Sequence, residues 1–267
     1  MAKIIASEGI GTAWLAAARH LNTKKGRIER NMVLEISRPQ TLSADDRTII
    51  KAIDGKLREH HNDLSIETVS GTIFPNGLYR REGRPQFYES FVDLMALGKR
   101  PNSWGTYALR MIQRKDPKTK DTYNPLDSIV ERLLLTHQGK TYQAAYELGV
   151  HDIHEDFDPA LEGYGFELPI YDPSRDAKPM KIPCLSHLSF KLTNGKLDLT
   201  AVYRSHWYCV RAQGNLVGLS QLHKFVGNES NYECGTLTCI ATHAYLDSES
   251  FGGVTATNDF LKSLPST

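Results

Sequence analysis

The sequence predicts an α/β protein, and three observations carry that prediction. One β-hairpin has its turn written out at Asn194-Gly195. Several segments place apolar residues three and four apart, as amphipathic helices do, and other extended segments lie between them. The hairpin is the sharpest signal. After Cys184 the run from Leu185 to Leu192 alternates well enough for a half-buried strand, and Asn194-Gly195 tolerates the positive φ of a tight turn. A second strand runs from Lys196 to about Arg204, with Leu197, Leu199 and Ala201 on one face and Asp198, Thr200 and Val202 on the other.

The other elements follow in order. Residues 11–21 predict a helix with Trp14, Leu15, Ala18 and Leu21 on one face; a basic loop and a strand around Met32–Ile36 come next. Ser43, followed by Ala44, Asp45 and Asp46, signals a helix start, and the amphipathic pattern continues through residues 44–61. Residues 64–75 read as extended, ending in a Pro75-Asn76-Gly77 turn. Residues 84–100 predict a helix carrying Phe87, Phe91, Leu94 and Met95, and residues 124–138 another, packed through Ile129, Leu133 and Leu134. After Asn215, residues Leu216, Leu219, Leu222, Phe225 and Val226 have helical spacing, with Gly227-Asn228 as the stop. Residues 233–247 read as a strand.

A length of 267 residues allows one large domain or two modest ones. With 40% hydrophobic and 24% charged residues the composition is that of an ordinary soluble protein. No apolar run approaches the ~20 residues of a membrane span. The amino-terminal stretch is a poor secretion signal and a fair amphipathic helix. A net charge of +1 gives no general drive towards nucleic acid. Cys184, Cys209, Cys234 and Cys239 are too irregular for a disulfide framework, which points to a reducing, cytoplasmic setting. Cys234 and Cys239 lack a second pair to complete a metal site. His151, Asp152, His154, Glu155, Asp156 and Asp158 read as an acidic surface loop, so no metal is expected.

Four short matches in order then suggest a family. Pro183-Cys184 is followed after 20 positions by Arg204-Ser205, after a further 11 by Asn215, and later by His243-x-Tyr245. This arrangement resembles the thymidylate synthase and pyrimidine nucleotide hydroxymethylase family over about residues 100–247, with a divergent part before it. The resemblance implies a single domain, a mixed sheet with flanking helices, and a homodimer whose sheets pack back to back. It implies a pyrimidine nucleotide as substrate and 5,10-methylenetetrahydrofolate as co-substrate. Cys184 would be the nucleophile, Arg204 and Ser205 would hold phosphate, Asn215 would read the base, and His243 with Tyr245 would read the sugar 3′-hydroxyl. Glu89 would handle ring protons through water, and Trp104 or Tyr107 would pack on the folate.

The chain also departs from that family. Trp207 stands at the place of an aspartate, Arg211 at a glycine, and Tyr164-Gly165 where paired arginines are expected. Arg27 and Arg30 lack the family's Arg-Thr-Gly pattern and read as part of a solvated loop. The closing tail and the folate insertion are reduced, so methyl and hydroxymethyl products both stay open.

The residue chemistry fits that reading. Cysteine is intrinsically nucleophilic, and a neighbouring arginine is expected to lower its pKa. Guanidinium binds phosphate bidentately. Asparagine both donates and accepts, which suits the O4 and N3–H edge of uracil, although Asn215 would also serve as a helix N-cap. Trp207 could stack on a pterin, and Arg211 could pair with a carboxylate or a second phosphate. A nucleotide-binding protein without catalysis is a second class. A cysteine hydrolase is a third, for which no acid, base and oxyanion pattern is evident.

Overall fold

The structure is a computed structural model, and it describes residues 1–98, 105–115, 119–139, 166–170 and 183–266. Trp104, the His151–Asp158 cluster and Tyr164-Gly165 lie outside the described residues. The main sheet is mixed, built in the order β1 (Lys3–Ser7), β2 (Ile28–Ile36), β9 (Glu233–Tyr245), β7 (Lys196–Tyr203), β6 (Leu185–Thr193), β5 (Phe166–Pro169). The short β8 (His206–Trp207) adds to the end of β9. β1 with β2 and β7 with β9 are parallel; the remaining pairs on the path are antiparallel. The predicted hairpin is present, with Thr193 opposite Lys196 and positive φ at Asn194 (52°) and Gly195 (77°).

Strand alternation divides the sheet into two unlike faces. Leu188, Ala201, Cys239, Leu34 and Ile5 form one lateral row, all buried under helices. The row beside it, on the opposite face, is His187, Val202, Ile240, Val33 and Ile4. Those residues are partly or largely exposed, Ile4 to 61%.

The helices α1 (Ile10–Asn22), α7 (Pro125–Thr136) and α8 (Gln213–Ser230) pack on the sheet, and α2 (Ala44–His60) and α9 (Val254–Ser263) pack on α1. Trp14, Leu15, Ala18 and Leu21 are buried as the apolar spacing requires. α1 and α2 share one carboxylate. Asp46 closes a capping box with Ser43 and also accepts from the N–H groups of Gly11 and Thr12, each at 2.9 Å.

Three expectations are corrected. Residues 64–75 are not extended: Ile66–Gly71 form α3 and Asn76–Glu82 form α4. The β-branched content misleads there, because Ser65 and Thr68 make a capping box and α3 has a close partner. A Cβ on Gly214 would fall 2.5 Å from Val69, and one on Gly218 would fall 2.8 Å from the Ser70 carbonyl oxygen. Those two glycines let α8 lie directly on α3. Gly227 does not end α8; it sits inside, facing the Tyr232 carbonyl oxygen at 2.8 Å and the Cys234 sulfur at 2.9 Å from a Cβ position. The helix ends at Asn231 in the left-handed region. On α5 (Gln86–Leu97), Phe87 and Phe91 are buried, but Leu94 is 58% exposed.

Candidate active site

The carboxyl ends of the parallel strands β7 and β9, the start of β6 and the first turns of α8 meet at one end of the sheet. Ligands characteristically bind at such ends in α/β proteins. Cys184 immediately precedes β6. Its N–H donates to the Tyr107 hydroxyl at 3.2 Å, and its carbonyl oxygen accepts from the Arg204 N–H at 3.0 Å. Arg204 Nε also donates to the Pro183 carbonyl oxygen at 2.9 Å, which ties the guanidinium to the loop carrying the cysteine. The hairpin register slips between Leu185 and His187. Without that slip Cys184 would lie across from Ser205; with it, the cysteine meets Arg204.

Burial pushes the Cys184 thiol up, and the charges of Arg204 and Arg211 pull it down without overcoming that effect. The expected lowering by arginine is therefore present as a force and outweighed. Arg211 is exposed and lies on a π-helical turn, Tyr208–Ala212, that leads into α8. This turn is held from two sides. Asp247 accepts from the N–H groups of Cys209 (2.7 Å) and Val210 (3.2 Å), and the Trp14 indole N–H donates to the Tyr208 carbonyl oxygen at 2.8 Å. Burial raises the Asp247 carboxyl pKa.

Asn215 is not a helix cap. It lies inside α8, 4% exposed, with its amide nitrogen 3.1 Å from Nε2 of His206. His206 is itself buried and stacks on Tyr203, ring centroids 4.1 Å apart with planes 2° from parallel. Burial pushes the Tyr203 hydroxyl pKa well up, and the charges of Tyr107, Cys239 and Cys184 act in the same direction. Tyr203, His206 and Asn215 thus form one contiguous buried set beside the cysteine's strand ends.

His243 and Tyr245 are half-buried on one face of β9. Arg30 lies opposite His243, and the Arg27 carbonyl oxygen accepts from Leu246 N–H at 3.0 Å, so the basic loop borders this end of β9. Trp207 is 48% exposed and meets Tyr245 edge-on at 6.1 Å. Ser205 is half-buried beside Arg204. Tyr107 is 9% exposed and belongs to the cysteine's surroundings rather than to an open stacking surface. Glu89 is exposed on α5 and has no hydrogen bond or ion pair with this group. His206 carried no signal in the sequence, where it reads as one more residue of a short strand. No group of three or more metal-ligating residues occurs among the described residues.

No family model matches the sequence. A protein of Methanosarcina barkeri named "Putative thymidylate synthase" is 35% identical over 74 residues, 28% of this chain and 34% of the relative. A protein of the same name from Methanothermobacter marburgensis is 35% identical over 77 residues, again 34% of its length. One from Methanocaldococcus jannaschii is 24% identical over 225 residues, 80% of this chain and 92% of the relative. The chain is similar in sequence to proteins that bear the thymidylate synthase name. Two of those matches span 34% of the relatives' own length. Among the described residues no helix is long and apolar enough to cross a membrane.

Proposed function

We propose that the protein transfers a one-carbon unit to C5 of a pyrimidine nucleoside monophosphate, with Cys184 as nucleophile. The observation that carries this reading is the meeting of Cys184 with the charges of Arg204 and Arg211 at the strand ends. The Cys184 thiolate would add to C6 of the ring, leaving an enolate whose C5 can bond to an electrophilic carbon. Loss of the C5 proton, with departure of the donor's nitrogen from the new carbon, would leave an exocyclic methylene on C5; hydride or water adding to that carbon as the thiolate leaves C6 would restore the ring double bond and free the cysteine. 5,10-Methylenetetrahydrofolate, when bound, supplies the one-carbon unit and, in methyl transfer, the hydride.

Arg204 with Ser205 would hold the phosphate, Asn215 the base edge, and His243 with Tyr245 the sugar hydroxyl. The exposed Trp207 indole offers a flat surface that fits a pterin, and Arg211 offers a charge for a folate carboxylate or a second phosphate. Tyr107 fixes the cysteine backbone. Glu89 acts, on this reading, through water rather than by contact. Exclusion of water from the transferred carbon decides between methyl and hydroxymethyl products.

The reading includes a homodimer. The uncovered row of Ile4, Val33, Ile240 and Val202 is apolar and lies across four paired strands, which suits a second copy of the same face. Ile240→Lys should convert a sedimenting dimer to monomer; a wild-type monomer would reject this part.

The test of function is incubation with methylenetetrahydrofolate and each of dUMP, UMP, dCMP and CMP, read by mass. A gain of CH2 marks methylation, a gain of CH2O hydroxymethylation, and Cys184→Ala should abolish either. The raised thiol pKa and the separate Glu89 favour a second reading, a nucleotide-binding protein without turnover. Nucleotide binding with no mass gain would identify it.

A further inference from the structure

Asn215 cannot by itself fix which pyrimidine edge it reads. The side-chain amide has an oxygen that accepts and a nitrogen that donates, and a half-turn about its last bond exchanges them. Uracil needs a donor facing O4 and an acceptor facing N3–H; cytosine needs the reverse. Discrimination therefore requires something that holds one order of the two atoms.

His206 is placed to do this. Its ring lies flat on Tyr203 at 4.1 Å and meets Tyr208 edge-on at 5.4 Å, so neighbouring rings restrict its rotation. It is 1% exposed, Nε2 lies 3.1 Å from the Asn215 amide nitrogen, and Nδ1 is buried without a partner among the described residues. Burial holds the imidazole neutral, so it carries a single ring proton. With that proton on Nδ1, Nε2 accepts from the amide nitrogen, and the Asn215 oxygen lies at the far end of the reading edge. With the proton on Nε2, the amide must turn and put its oxygen next to the histidine. The imidazole tautomer and the order of donor and acceptor across the Asn215 edge are thus locked together.

We propose that His206 is a positioning residue: with its ring proton on Nδ1 it accepts from the Asn215 amide nitrogen, holds the amide in that one order of donor and acceptor, and so makes the site discriminate 4-oxo from 4-amino pyrimidine nucleotides. This rests on the nucleotide reading above. It gives a role to a buried histidine that packing alone leaves unexplained, since a histidine with one unsatisfied nitrogen is a costly core residue.

The experiment is calorimetric binding of dUMP and dCMP, without folate, to the wild-type chain, His206→Phe and His206→Gln. Phenylalanine keeps a ring on Tyr203 but cannot orient the amide; glutamine restores a hydrogen-bonding partner. The wild type should prefer one of the two nucleotides, His206→Phe should lose about tenfold of that preference, the size of one mispaired hydrogen bond, and His206→Gln should regain part of it; a wild type that binds both equally overturns the inference. Thermal unfolding of each variant confirms that it is folded. Should His206→Phe fail that check, the comparison passes to His206→Gln against His206→Leu, with the same expectation of a retained and a lost preference. A dUMP to dCMP ratio unchanged by removing the imidazole overturns the inference while leaving the nucleotide site standing. A wild type that binds neither nucleotide overturns the nucleotide reading itself.

Discussion

Acid should weaken this fold between about pH 6.5 and pH 5, and His206 should account for much of the loss. Burial pushes its pKa from 6.5 down to about 3, so the native ring stays neutral where an unfolded histidine takes a proton. Over that interval the unfolded state binds more protons, so stability rises with pH and falls on acidification. Each unit of displacement is worth about 1.36 kcal/mol, which gives roughly 2 kcal/mol at pH 5 and a limit of about 5 kcal/mol once the native ring also titrates. His223, held against the Leu197 carbonyl oxygen at 2.6 Å, is shifted down as well and adds with the same sign. Asp46 is held below 3.8 because its hydrogen bonds outweigh burial, so its contribution is lost only in stronger acid. Asp247 is shifted up and takes its proton earlier when folded, which opposes the histidines at the acid end. The comparison is therefore between the wild type and His206→Gln, unfolded in urea at about pH 7 and about pH 5 and followed by tryptophan fluorescence. The wild type should lose about 2 kcal/mol more than the variant over this range. Equal pH slopes would refute the reasoning, because they would mean that the folded imidazole titrates as it does in water.

Asp46→Ala removes the shared cap of two helices and should cost about 2–4 kcal/mol in urea unfolding, more than a single cap is worth. Gly218→Ala forces a methyl against the Ser70 carbonyl oxygen and should lower stability by about 1–3 kcal/mol in thermal unfolding, with nucleotide binding retained. Cys184 should react with iodoacetamide more slowly than a free thiol at neutral pH, speeding up as pH rises through a pKa above the ordinary one. Arg211→Ala should slow that alkylation further, as read by peptide mass; faster labelling would show that the arginine shields the sulfur rather than stabilising its anion.

What could be read from the chain depended on how local its cause was. The hairpin was legible because Asn194 and Gly195 supply the turn's positive φ themselves. The capped start of α2 was legible because Ser43 and Asp46 lie three residues apart. α3 was not, since its helix depends on glycines in α8, far along the chain, that leave room for Val69 and Ser70. Asn215 before an apolar run looked like a cap by the same local logic; its partner is His206, brought there by a two-residue strand paired to the end of β9.

The pairing of Cys184 with Arg204 shows both sides of this at once. Any antiparallel hairpin turning at residues 194–195 must return to the neighbourhood of Cys184 near Arg204 and Ser205, so their nearness follows from the turn. Which of the two meets the cysteine does not. An unbroken ladder with Thr193 opposite Lys196 would set Cys184 against Ser205, a hydroxyl with no charge to pull on the sulfur. The slip at Leu185 and His187 moves the partner by one residue and puts the Arg204 N–H on the Cys184 carbonyl oxygen. Bulges commonly re-aim a side chain beside a site in this way, and nothing in the alternation of residues 185–192 announces one. The electrostatics of the cysteine thus rest on a one-residue irregularity in an otherwise regular hairpin.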